Sequence, residues 1–230
     1  FGAQERRALA RLAELIGKGM RVKLTGSELL DWLAEEGALG EALFKHLSAA
    51  CAAGALNGEQ LAGGSIAWDL NHPAVRNVSE NILGKLAVND TTKTALSKSI
   101  TEGIENGESY RGLKGRIEAV FSQAKGYRAE MIARTESTRA FMEGQRATWA
   151  DSGVVKGKQW LLAPGACQFC QALALEYADR VIPMDQPFYP IGHVLTGVDG
   201  GRLLVDYTEI QGPPLHPHDR CDLIPVLSES

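Results

Sequence analysis

Cysteine and histidine are concentrated in two short stretches of this chain: Cys167-Gln168-Phe169-Cys170 and, starting 49 residues after Cys167, His216-Pro217-His218-Asp219-Arg220-Cys221. Three of the four cysteines and two of the five histidines lie there. Two thiolates spaced C-x-x-C grip one tetrahedral cation from a single turn, and a second His/Cys turn from far along the chain completes the shell. Clustering of this kind points to a metal site in a reducing compartment and away from a disulfide framework. The expected ion is zinc, on Cys167, Cys170 and Cys221 with His216 as fourth ligand and His218 as the alternative. The intervening glycine-rich segment is too poor in apolar residues to fold unaided, so metal binding and local folding are expected as one event. The competing structural reading is three buried thiols with no ion. Cys51, in an alanine-rich run, reads as a buried small residue.

The rest of the chain reads as mainly helical. Leu9, Leu12, Ala13, Leu15 and Ile16 lie along one side of a helix over residues 4–16, which Gly17 and Gly19 end. Ser27 is the expected N-cap of a second helix carrying Leu29, Leu30, Trp32 and Leu33, stopped by Gly37. A third, over residues 39–53, runs into Gly54, Gly58, Gly63 and Gly64, which read as a connector. Beyond Trp68, helices are expected from Pro73 to Ala87, from an Asn89-Asp90 cap to Ile104, and from a Ser109 cap through Leu113, Ile117, Val120 and Phe121. His72 reads as a residue flanking a helix start. Gly126 sets off a long helix over 127–150.

On that long helix, Met131, Thr138, Met142 and Trp149 form the expected buried stripe, while Arg134 and Glu136 project to different sides and so cannot act as one catalytic pair. Glu130 to Arg134 and Arg139 to Glu143 have the spacing of surface ion pairs. After Gly153 the period shortens. Residues 154–162 read as a strand, and Pro164-Gly165 as the turn presenting the cysteines. A short helix over 171–177, strands at 181–183 and 203–207, and a closing strand at 222–226 follow. The expected fold class is α+β: a mainly helical body with a small C-terminal β-rich, zinc-stapled lobe. The expected division is 1–64, an N-terminal helical segment; 65–153, a second helical region; and 154–230, the Cys/His lobe.

The formal net charge is −4, against a protein built mainly to neutralise phosphates. Between residues 111 and 146 eight basic side chains face four glutamates, read as a solvated helix face before a DNA track. No run reaches the roughly twenty apolar residues of a membrane span. The chain begins at Phe1 and is read as a fragment or processed product.

Several segments in order, Ile132-Ala133-Arg134-Thr135-Glu136, Trp160, the C-x-x-C pair, Val181-Ile182-Pro183-Met184-Asp185, and Pro214-Leu215-His216-Pro217 leading to Arg220-Cys221 and Leu223-Ile224-Pro225-Val226, resemble the phage head-morphogenesis family typified by the minor head protein F of phage Mu. The likeness runs from about Trp68 to Val226. It implies a minor virion or prohead component near the portal, located in the virion head and in the host cytoplasm during assembly. The implied partners are portal and capsid shell proteins, with packaged DNA and a second copy of the chain as further ones. It implies no established catalysis. Two departures stand out. Asp219 occupies a position where the family often has cysteine, which makes Asp219 a third candidate for the fourth ligand, and the acidic residue often found before the C-x-x-C pair is absent. A zinc hydrolase with Asp219 or Glu176 as base is the competing enzyme reading, although no H-E-x-x-H helix accompanies it. A DNA-binding accessory using the basic helices is the other. A Cys-His nucleophile is weaker still, since zinc would consume the thiolates.

Overall fold

The computed structural model describes residues 1–17, 29–63, 72–85 and 88–228. The Ser27 cap and Trp68 fall outside these residues. Two compact units emerge, each built from two stretches of chain: Phe1–Leu43 with Leu86–Met131, and Phe44–Lys85 with Ile132–Ser230. This partition cuts across the three consecutive segments expected from sequence, because the helices Trp32–Ala62 and Ala129–Asp151 each contribute residues to both units.

In the first unit, α1 (Gly2–Gly17) buries Ala8, Leu12 and Leu15. These residues pack with Leu96 and Ile100 of α4 (Val88–Glu105) and with Leu113, Ile117 and Phe121 of α5 (Tyr110–Gln123). Gly107, at φ 66°, ends α4 in a Schellman arrangement, with Glu108 N donating to Gly103 O and Gly107 N to Ile104 O. Ser109 is the residue before α5, extended as a cap should be, but its side chain makes no capping bond. At Gly126 the backbone leaves helical geometry (φ −83°, ψ −123°), and the chain turns into α6 (Ala129–Asp151).

The helix α2 (Trp32–Ala62) is continuous through Gly37, where a stop was expected, and through Gly54 and Gly58, read as connector. Asp31 caps it, its Oδ1 accepting from Ala34 N at 3.2 Å. Leu29, Leu30 and Trp32 are buried as expected, but Leu33 is 80% exposed. In the second unit, the glycines of α2 allow a close crossing with α6. A Cβ at Gly54 would lie 1.9 Å from Phe141 O, one at Gly144 would lie 2.0 Å from Cys51 O, and one at Gly58 would meet Gln145 Cα at 3.1 Å. Across this crossing Gln145 Nε2 donates to Asn57 Oδ1 (2.6 Å), Thr148 Oγ1 to Ala55 O (3.2 Å) and Trp149 Nε1 to Gly58 O (3.1 Å). The helix α6 is therefore not an ordinary amphipathic surface helix. Thr135, Glu136, Ala140, Met142, Gly144, Gln145, Thr148 and Trp149 are buried, whereas Met131 and Thr138 of the expected stripe are only half-buried. The helix α3 (Pro73–Lys85) begins where His72 Nδ1 accepts from Ala74 N, and Ser79 joins Ser48 of α2 through a buried hydroxyl pair at 3.0 Å.

Beyond α6, β1 (Val155–Leu161) pairs antiparallel with β4 (Asp222–Leu227), in register Trp160 to Leu223 and Leu161 to Asp222. Between them come α7 (Gln168–Glu176) and the hairpin β2 (Val194–Thr196) with β3 (Arg202–Leu204). The expected strand at 181–183 is only an isolated bridge from Ile182 to Lys158. The chain is mainly helical with small C-terminal strands, as expected, and the core of the β-rich region continues into the helices. Trp160, Cys170, Leu173, Phe188, Tyr189, Cys221 and Leu223 share one core cluster with Met142 and Trp149 of α6 and Ala62 of α2.

Candidate metal centre

The pairing of β1 with β4 decides where the two Cys/His stretches meet. The first follows β1 and the second precedes β4, and the two strands are joined at Leu161 and Asp222, so both loops leave the same end of the ribbon. After β1, Gly165 at φ 71° and the bond from Ala166 N to Ala163 O (3.1 Å) turn the chain into α7. Cys167 is its N-cap residue, in extended geometry (φ −70°, ψ 168°), and Cys170 lies in the first turn. The C-x-x-C pair thus straddles a helix start, three residues earlier than the helix expected at 171, and residues three apart on a helix lie on one face.

The second loop is shaped by Asp219, which is 4% exposed. Its Oδ2 accepts from Leu215 N (2.8 Å) and its Oδ1 from Cys221 N (2.9 Å), while its own N–H reaches His216 O (3.2 Å). His218 takes the left-handed conformation, φ 63°. His216 is oriented by Nδ1 donating to Pro217 O at 2.8 Å, which leaves the Nε2 lone pair directed at the sulfurs: 2.8 Å from Cys167 Sγ and 3.5 Å from Cys170 Sγ. A backbone carbonyl fixing one ring nitrogen is the usual device for presenting the other to a metal.

Two groups of ligand atoms result, each with its members within 4.8 Å of one another: Cys167, Cys170 and His216, and Cys170, Asp219 and Cys221. Cys170 belongs to both. The side chains expected to hold zinc are gathered around that one sulfur, in a set of three thiols and an imidazole that suits zinc. His218 belongs to neither group; its backbone N–H donates to Thr135 Oγ1 at 3.3 Å. The neighbouring Cys221 sulfur, with burial, pushes the Cys170 thiol up, while the proximity of Cys170 holds that of Cys221 down. A bound dication reverses that logic, since coordination deprotonates a thiol outright. Chemically, then, these groups can hold a metal ion such as zinc.

The segment Arg134-Thr135-Glu136 is divided as its helical phase predicts, with Arg134 exposed and the other two buried. Glu136 pairs with Arg139 at 3.1 Å, and the Arg139 guanidinium lies 5.1 Å from the centroid of the Tyr207 ring. Burial raises the Glu136 carboxyl, with Arg139 opposing the shift. Arg139 therefore turns back to Glu136 in place of the expected Glu143, which pairs with Arg146 at 2.6 Å. Trp160 packs edge-on against Phe188, ring centroids 5.3 Å apart.

Of the carboxylates considered as hydrolytic bases, Asp219 already accepts two backbone N–H groups, and Glu176 Oε2 accepts the Tyr189 hydroxyl at 2.6 Å. In the first unit several basic side chains are answered by acids: Arg116 holds Glu108 through two bonds (2.8 and 2.9 Å), Lys114 lies 3.5 Å from Glu118, and Lys125 pairs with Glu5.

Sequence reasoning passed over Lys158, which is fully buried. Its Nζ donates to Gln211 Oε1 (2.6 Å) and Met184 O (3.4 Å), the same two acceptors that Arg146 uses. Burial first, and then the Arg146 charge, lower the Lys158 amine to about 7. Its position two residues before the inward-facing Trp160 was the available signal. Beside it, Arg139, Glu143, Arg146, Tyr207 and Gln211 help to line a polar cavity of about 370 Å³.

Neither a scan against known family models nor searches of curated proteins and of solved structures finds a match. Among the described residues no helix is long and apolar enough to cross a membrane.

Proposed function

We propose that this chain is a minor head component of a phage or prophage that acts in head morphogenesis near the portal, through protein contacts and not by catalysis. In this reading one structural zinc ion, on Cys167, Cys170, His216 and Cys221, ties α7 to the start of β4. The observation that carries the proposal is convergence: segments on which the family resemblance rests, far apart in sequence, meet in space. Cys167 reaches His216, and the loop bearing His216 and Cys221 is anchored through His218 N to Thr135 on α6. Such convergence supports the ordered motifs as parts of one structural device.

A structural role for the metal is favoured over hydrolysis because Asp219 and Glu176 are both engaged in bonds that build the fold. A DNA track is disfavoured by the ion pairs that occupy Arg116, Lys114 and Lys125. The test is recovery of the tagged full chain from induced cells. Co-purification with portal or head shell proteins supports the role, and its absence from both removes it. Truncation of residues 1–64 is not a clean probe, since it deletes Leu47, Cys51 and Ala55 from the buried face of the second unit.

A further inference from the structure

We propose that in the metal-free state the Cys167–Cys170 pair is a thiol–disulfide exchange site for small disulfides, with Cys167 the attacking sulfur and Cys170 the resolving one. This deepens the zinc reading, since it assigns a chemistry to the same centre once the ion has left. Access separates the three thiols: Cys170 and Cys221 are 1% and 2% exposed, whereas Cys167 is only half-buried. A cavity of about 90 Å³ bordered by Gly165, Cys167, His216 and Arg220 provides room for the sulfur end of a small molecule. His216 Nε2, with its lone pair directed by the Nδ1 bond to Pro217 O, lies 2.8 Å from Cys167 Sγ and is placed to take its proton. Cys170 Sγ is within 4.8 Å of Cys167 Sγ and one turn away on the same helix face.

The steps balance. Cys167 gives its proton to His216 and its sulfur attacks one sulfur of R–S–S–R; that S–S bond breaks, a mixed disulfide forms on Cys167, and the leaving thiolate takes the proton from His216. Cys170 sulfur then attacks Cys167 sulfur, closing the protein disulfide and releasing the second R–S⁻, which takes the Cys170 proton. Two protein thiols are oxidised and one small disulfide is reduced to two thiols. Cys51 has no part in this, being fully buried on α2 and outside both sulfur groups.

The experiment treats the full chain, stripped by chelator and kept anaerobic, with oxidised glutathione, and maps the products by mass spectrometry. The expected product is a Cys167–Cys170 disulfide with Cys51 unmodified. Cys170→Ser should stop at a glutathione adduct on Cys167, and prior zinc loading should abolish the reaction. A Cys167 that stays a free thiol overturns the proposal, as does a crosslink mapping to Cys170–Cys221, or equal reaction of all four thiols as an unfolded chain would give. Zinc stoichiometry is read separately. A chain that takes up no zinc but forms the crosslink defeats only the zinc reading, and one that binds zinc but forms no crosslink when stripped defeats only this one.

Discussion

Adding a single methyl group at Gly144 should destabilise the second unit, although the same change at Gly40 of α2 should stabilise. Intrinsic propensity favours alanine over glycine in a helix by about 1 kcal/mol. At Gly144, however, the new Cβ would lie 2.0 Å from Cys51 O and 2.9 Å from Ala55 N, where ordinary contact begins at 3.4 Å. Those atoms are backbone of α2, so relief requires the helices to separate by more than an ångström. Separation puts at risk the bonds from Gln145, Thr148 and Trp149 to α2, each contributing about 1 kcal/mol net, and overpacking itself costs about 1–3 kcal/mol. Set against the propensity gain, the net loss is about 3–5 kcal/mol for Gly144→Ala. At Gly40 of α2 nothing lies within 4 Å of the place a Cβ would take, so Gly40→Ala should gain up to about 1 kcal/mol. Urea unfolding followed by circular dichroism and tryptophan fluorescence gives both values. Equal stabilisation by the two substitutions would refute the close crossing.

Three further outcomes follow from the second unit. With its amine lowered to about 7 in the fold and near 10.4 when unfolded, Lys158 makes the unfolded chain bind the extra proton between those values, so its contribution to stability rises with pH across that window. Compared with Lys158→Met, wild type should therefore gain about 2 kcal/mol between pH 7 and pH 9 in paired urea melts; a constant difference would show that the amine is charged in the fold. Arg139→Ala leaves Glu136 buried without its partner and should cost about 3 kcal/mol, measured by thermal unfolding, and a loss under about 0.5 kcal/mol would assign the pair no structural weight. Glu136→Gln should keep the fold and remove no activity; a hydrolytic activity that vanishes in a folded Glu136→Gln variant would make Glu136 catalytic.

The features legible in sequence are those governed by local chemistry. The Cys/His spacing, the apolar spacing of α5 and the strand runs that form β1 and β4 all depend on near neighbours; the expected caps fared less well, since Asn89 and Asp90 lie inside α4 and Ser109 makes no capping bond. What escaped depends on neighbours far along the chain. Gly54 and Gly58 read as breaks because glycine weakens an isolated helix, yet they lie within α2 because only glycine fits against Phe141 and Gln145 of α6. The C-terminal region read as a lobe because its periodicity changes at Gly153, while its core residues in fact pack with Trp149 and Met142. Lys158 was passed over because lysine is rarely buried without partners, and its acceptors lie 26 and 53 residues away. Arg139 pairs with Glu136 in preference to Glu143, which also lies within helical reach, because Glu136 is on the buried side.

The sharing of Cys170 between the two ligand groups is the central feature of the proposed centre, and elemental analysis of the full chain purified without chelator, alongside Cys170→Ser, tests it most directly. One zinc per chain in wild type and a loss of most of it in Cys170→Ser is the predicted result. Metal well below one per chain in wild type, or a full complement retained by Cys170→Ser, would contradict it.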